Sequence, residues 1–214
     1  MLVLTALLCH AAWVAEQEPG ALAVLRVGEA VQGEMTGEEG AVSTPVLDAR
    51  STRAPTVGQS FLIQVDESGP YHVDLRSYFF DGYLVLRDAA GRLLAEDDDG
   101  WIGVHARLAA ELEAGRTYRL QACALHGRRG AFELALRRGR PDELSPDARR
   151  RLEREDAERR LEAVESLLGP AHHDTLHSVD ALAGLLASQG DLHAARALYA
   201  VSYTHLTLPT IYSV

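Results

Sequence analysis

Leu168-Gly169-Pro170-Ala171-His172-His173-Asp174-Thr175-Leu176-His177-Ser178-Val179-Asp180-Ala181-Leu182-Ala183-Gly184-Leu185-Leu186-Ala187-Ser188-Gln189-Gly190-Asp191-Leu192-His193-Ala194-Ala195-Arg196-Ala197-Leu198-Tyr199 decides how the C-terminal part of this chain folds. Asp174 or Thr175 is suited to begin a helix, because a short side-chain oxygen accepts one of the N–H groups that a helix start leaves unpaired. Leu176, Val179, Leu182, Ala183 and Leu186 then recur at helical spacing and define one apolar face. Gly190 supplies a stop and Asp191 a second cap, ahead of Leu192, Ala195 and Leu198 on a second helix. Ala183, Gly184 and Ala195 are small, as two closely packed antiparallel helices require. The stretch predicts a helical hairpin.

These residues closely resemble one tetratricopeptide unit of the kinesin-light-chain type. The resemblance implies a binding solenoid whose concave face takes peptide or protein partners. Such a hairpin cannot bury its apolar face alone, and a solenoid usually needs about three repeats for stability. With one further helix before it, the hairpin makes only about one and a half. Leu182, Leu185, Leu186 and Leu198 are therefore expected to be partly uncovered, as a partner-binding or self-associating surface.

The preceding helix begins at Ser145-Pro146, with Ser at the cap and Pro at the first position. Asp147 to Leu168 is dense in Arg and Glu, and Glu155 with Arg159 and Asp156 with Arg160 are favourable i,i+4 pairs. Leu152, Leu161, Val164, Leu167 and Leu168 give it one apolar side. Arg149-Arg150-Arg151 sits among interleaved acids, which marks a solvated face rather than a nucleic-acid contact.

Beyond Tyr199 the composition changes abruptly. Val201-Ser202-Tyr203-Thr204-His205-Leu206-Thr207-Leu208-Pro209-Thr210-Ile211-Tyr212-Ser213-Val214 carries no Asp, Glu, Lys or Arg. Elsewhere every Lys/Arg-type cation is Arg, Lys and Asn are absent and Ile is scarce, the usage of GC-rich codons. The tail resembles translated adapter read-through at the ends of metagenomic assemblies, which implies non-native sequence over 201–214. Its Thr, Tyr, Val and Ile also suit a β-strand.

Upstream, from about Leu22 to Arg138, the period is two. Phe61, Ile63 and Val65 alternate, then Tyr71, Val73 and Leu75, then Leu84 and Leu86. Leu108, Ala110 and Leu112 follow, then Tyr118, Leu120 and Ala122, and Phe132, Leu134 and Leu136. Short alternating runs separated by Ser68-Gly69-Pro70, Ala89-Ala90-Gly91, Glu113-Ala114-Gly115 and Gly127-Arg128-Arg129-Gly130 predict half-buried strands in a sandwich or jelly roll. Gly37 to Pro55, rich in Gly, Ser, Thr and Pro, reads as a long loop.

Within this region, Phe80-Asp81-Gly82-Tyr83-Leu84-Val85-Leu86, Gly91-Arg92-Leu93-Leu94-Ala95 and Asp97-Asp98-Asp99-Gly100 are similar to the signature of bacterial pre-peptidase C-terminal domains. Ala106-Arg107-Leu108, Leu112 to Tyr118 and Gly130 to Leu134 match that family's later strands, so the resemblance spans most of Val57 to Arg138. It implies a non-catalytic β-sandwich accessory module of an exported protein.

The chain has 214 residues and a net charge of -10, which argues against a nucleic-acid surface. Met1 to Val14 is apolar and too short to span a bilayer, but suits the core of a signal peptide, so export is expected without a membrane span beyond it. Removing that segment removes Cys9 and leaves Cys123, which lies in an apolar strand pattern and reads as a buried small hydrophobe.

Few constellations could carry chemistry. Asp81, Asp97, Asp98 and Asp99 offer hard carboxylate oxygens of the kind calcium takes. They do not fit an EF-hand, since Ala95 and Ala106 fall at its first and twelfth positions. Two readings stand: a calcium site built from neighbouring loops, or a turn whose Asp side chains cap backbone amides. His172, His173, Asp174 and His177 lack a zincin glutamate, and the repeat accounts for them as the turn into its first helix. No Gly-x-Ser-x-Gly elbow or phosphate-binding Lys loop is present, and His126 near Cys123 has no third partner.

These patterns predict a multidomain β + α chain. A signal peptide over 1–15 precedes an antiparallel β-sandwich or jelly-roll-like domain over 20–140. A helical linker and tetratricopeptide-type hairpin, a truncated solenoid, occupies 145–200. The expected function is non-enzymatic, with peptide or protein binding on the helical face and no cofactor unless calcium binds. Two alternatives stand. Exported proteins that pair such domains resemble those ending in a caspase-like CHAT peptidase, which would make this chain the regulatory front of a protease. Alternatively, Trp101, Tyr78, Phe79 and Phe80 form an aromatic platform for carbohydrate or matrix.

Overall fold

A computed structural model describes residues 22–38, 57–98 and 100–207, with side chains through 202. The apolar N-terminal segment, most of the Gly37 to Pro55 stretch, Asp99 and residues 208–214 lie outside the described residues.

Among the described residues, nine strands form two sheets. They are β1 (Ala23–Leu25), β2 (Ala30–Met35), β3 (Val57–Gln64), β4 (Gly69–Arg76), β5 (Gly82–Asp88), β6 (Leu93–Asp97), β7 (Ala106–Leu112), β8 (Thr117–Ala124) and β9 (Gly130–Arg138). One sheet runs β1-β3-β8-β5-β6 and the other β2-β9-β4-β7. All neighbours are antiparallel except β1 and β3, which pair in parallel from Ala23↔Phe61 to Leu25↔Ile63. Because side chains alternate across a strand, each predicted apolar set falls on one inner face. Phe61 and Ile63, Val73 and Leu75, Leu84 and Leu86, Leu120, and Leu134 and Leu136 meet there in one buried core. β6 was legible only through the family resemblance. Its edge position leaves Leu94 exposed, which blurs the alternation.

The outer face of β5 and β8 holds a second buried cluster of Tyr83, Val85, Cys123 and Leu125. Cys123 is a buried free cysteine, and desolvation pushes its thiol up to about 12. A thiol so far from ionising is inert, which agrees with a packing role.

Three helices follow: α1 (Pro146–Leu168), α2 (His173–Ser188) and α3 (Leu192–Thr207). Ser145 caps α1 by accepting from the Ala148 amide at 3.2 Å, with Pro146 at the first position. The start of α2 differs from the expectation at Asp174 or Thr175. His172 is the cap, its Nδ1 accepting from the Asp174 amide at 3.1 Å. A neutral imidazole nitrogen accepts as a carboxylate does, a role that residue preferences for caps obscure. Gly190, at φ 88°, makes the turn into α3, and Asp191 accepts from the Ala194 amide at 3.1 Å. The helix continues through Val201 to Thr207, so these residues form no strand. Once a helix is nucleated, each added residue gains a hydrogen bond, which carries it through residues with strand preference.

Candidate functional site

The joint between sandwich and helices is where residues distant in sequence converge. It is built on the loop from Gly100 to His105, between β6 and β7. Asp97 shapes that loop: its Oδ2 accepts from the Gly100 and Arg107 amides, both at 2.9 Å. Trp101 is then held with the Arg107 guanidinium 4.2 Å and the Arg76 guanidinium 4.6 Å from its ring centroid. Arg107 is itself fixed by buried Asp74, with Nε–Oδ1 at 2.5 Å and Nη2–Oδ2 at 3.0 Å. Arg137 also bonds Asp74, so two guanidiniums compensate one buried carboxylate.

His105 closes the loop from inside. Its side chain is 2% exposed, with Nδ1 accepting from the Ser77 amide at 3.3 Å. That bond leaves the proton on Nε2, which donates to Asp156 Oδ1 of α1 at 2.7 Å. Ser77 is anchored in turn, donating from Oγ to the Ala131 carbonyl at 2.9 Å and accepting from the Phe79 amide at 3.1 Å. Two more contacts fasten the helices. Arg149 of α1 donates to the Trp101 carbonyl at 3.1 Å, and Arg128, beyond β8, pairs with Asp174 of α2 at 2.8 Å. Burial raises the Asp174 carboxyl, but the hydrogen bond and charge of Arg128, with a hydrogen bond from the neighbouring His173, outweigh it and hold it below the ordinary carboxylate value.

The site residues expected from sequence are distributed differently. Asp97 is spent on backbone amides, the turn-capping role, and Asp81 and Asp98 each have interactions of their own. Among the described residues no group of three or more His, Cys, Asp or Glu side chains is placed to hold a metal ion, and Asp99 lies outside them. Asp156, expected to serve Arg160 one turn on, gives its hydrogen bond to His105 instead and acts on Arg160 through charge. The i,i+4 pairs that α1 does form are Arg154 with Glu158 at 3.0 Å and, more loosely, Arg149 with Glu153 at 3.9 Å.

Of the four leucines expected to be partly uncovered, Leu182 and Leu186 need correction. Leu182 and Leu186 are buried at 5% and 3% exposure, in a cluster with Ala195. α2 packs against both α1 and α3, so Ala157 and Leu161 of α1 cover what sequence left open. Leu198 and Leu185 are half-buried. Exposed apolar side chains on the helices include Leu192, Tyr199 and Val201 of α3 and Leu152, Leu167 and Leu168 of α1. Nor do the aromatics make one platform. Phe80 is core, edge-on to Phe132; Phe79 packs where a Gly130 side chain would stand; Tyr78 and Trp101 pack on His105.

No protein-family profile and no curated protein matches the chain. Among solved structures, it is similar to the pre-peptidase C-terminal domain of a Bacillus anthracis collagenase at 13% identity, over 57% of this chain and 100% of that one, with a TM-score of 0.41. The periplasmic inhibitor of g-type lysozyme from Aeromonas hydrophila is similar at 8% identity, over 55% of this chain and 100% of that one, with a TM-score of 0.31. CsCBM6-3 of Clostridium stercorarium, solved with cellobiose, is similar at 11% identity, over 56% and 99% of the two chains, with a TM-score of 0.28. Likeness at these scores transfers no function.

Proposed function

We propose that this chain is a non-catalytic accessory module of an exported protein, in which the β-sandwich carries a helical layer that binds a peptide or protein partner. The observation behind this reading is the division of labour on α3. Its Ala195 and Leu198 pack toward α2, while Leu192 and Tyr199, seven residues apart, stand 62% and 41% exposed. Residues at that spacing share a side of a helix, so they offer a short apolar strip. The partner suited to it is an amphipathic segment that lays apolar anchors along a helix. The apolar Met1 to Val14 segment supports export. The inert Cys123 thiol supports a non-catalytic role for that residue.

The test is selection of a displayed random-peptide library on the purified protein, repeated on Leu192→Glu/Tyr199→Glu. Clones that bind the parent and lose the double variant are the expected result. Failure to enrich any clone, or clones that ignore both substitutions, would sink the partner reading.

A further inference from the structure

Two adjoining cavities of about 250 and 490 Å³ lie between the sandwich and the helices, and both are lined by Arg160, His177 and Ser178. Arg160 is the unusual member. Burial lowers its pKa from the ordinary value, opposed by the charges of Asp156 and Asp81 and reinforced by Arg128. Those acids act on it through charge without a hydrogen bond, whereas Arg154 on the same helix is bonded by Glu158 and Asp191. The acids within reach are engaged elsewhere: Asp156 with His105 at 2.7 Å and Asp174 with Arg128 at 2.8 Å. Among the described residues no group accepts from the Arg160 guanidinium, which is half-buried and open to both cavities, so its donors are available to a ligand's acceptor. Around it the smaller cavity is walled by Tyr78, Phe79, Val164, Leu167 and Leu168.

We propose that this cleft binds a small monocarboxylic acid with an aromatic or branched apolar body, its carboxylate on the Arg160 guanidinium and its body against Phe79 and Val164. The planar guanidinium fork matches a carboxylate in two parallel hydrogen bonds. One negative charge suits the site better than two. Asp81, Asp156 and Asp174 balance Arg128, Arg129 and Arg160, so the cleft has no surplus positive charge to set against the second charge of a dianionic phosphate. The smaller cavity, about 250 Å³, is close to the lower end of small-ligand sites, which limits the ligand to roughly the size of one aromatic acid. This inference is independent of the strip on α3.

The experiment titrates 3-phenylpropionate into the full chain by calorimetry, beside the neutral 3-phenylpropionamide and the dianionic phenylphosphonate. Nitrogen-15 NMR of the arginine Nε–H groups is recorded in parallel. The acid is expected to bind at about millimolar Kd or tighter. The amide and phosphonate should bind at least about tenfold more weakly, and Arg160→Gln should lose a similar factor for the acid. Circular dichroism melting shows whether that variant is folded. If it is not, the Arg160 Nε resonance of the parent decides, since it should move on titration. Equal binding of acid and amide, tighter binding of the phosphonate, an unmoved Arg160 resonance at saturation, or no binding by 10-fold above millimolar (about 10 mM) would overturn the assignment.

Discussion

His105 and Asp156, 51 residues apart in sequence, share a 2.7 Å hydrogen bond that ties the β-sandwich to the first helix. His105 is almost wholly buried and its other nitrogen is engaged by the Ser77 amide, so contacts within the sandwich fix its tautomer and direction. The bond therefore specifies where α1 docks.

Asp156→Ala leaves the His105 Nε2–H buried without its acceptor. Such a loss costs about 1–3 kcal/mol. The expected result is a separate, lower-temperature helical transition in circular dichroism, with the sandwich transition little changed. A single unshifted transition would show that the joint does not depend on this bond.

Arg128 and Asp174 make the second tie, and its strength follows pH. Asp174 titrates below its ordinary value of 3.8 in the folded chain. A depressed carboxyl stabilises the fold above the unfolded pKa, and that contribution is lost as pH falls through the folded one. Stability of the helical layer should thus decline below about pH 4. Asp174→Asn should remove that part of the acid dependence, as measured by urea unfolding at pH 3 and pH 6.

Leu186 lies in the shared core of α2 and α3 at 3% exposure. Leu186→Glu buries an unpaired carboxylate and should unfold the helical layer, costing more than about 3 kcal/mol. Leu192→Glu, at 62% exposure, should be tolerated within about 0.5 kcal/mol. Chemical denaturation of both variants checks the contrast, and a folded Leu186→Glu protein would contradict the packing described here.

Asp97 caps the amides of Gly100 and Arg107, so its contribution is structural. Asp97→Ala should destabilise the sandwich by about 1–2 kcal/mol, as loss of such caps does. Millimolar calcium should leave the parent melting temperature unchanged. A rise on adding calcium, abolished by Asp98→Ala, would instead establish the calcium reading through mass action.

The sequence by itself determined the local structure. Alternation at Phe61, Ile63, Val73, Leu75, Leu134 and Leu136 placed inner faces, because a strand sends neighbouring side chains to opposite sides. The helical recurrence of Leu176, Val179, Leu182 and Leu186 placed α2 by the same kind of periodic reasoning. The tertiary structure alone decided what those faces meet. α1 covers α2, so Leu182 and Leu186 become core rather than surface. Asp156 turns from Arg160 to His105, and Asp97, which the sequence left as a metal ligand or a turn cap, reaches beyond its own turn to the Arg107 amide as well as Gly100. Apart from Asp97 and Gly100, three residues apart, none of these partners stands at a helical or strand period from the other. Their meeting depends on how the loop from Gly100 to His105 is held and on which helix docks against it. That information resides in contacts between residues about 10 to 50 positions apart, and no local pattern encodes it.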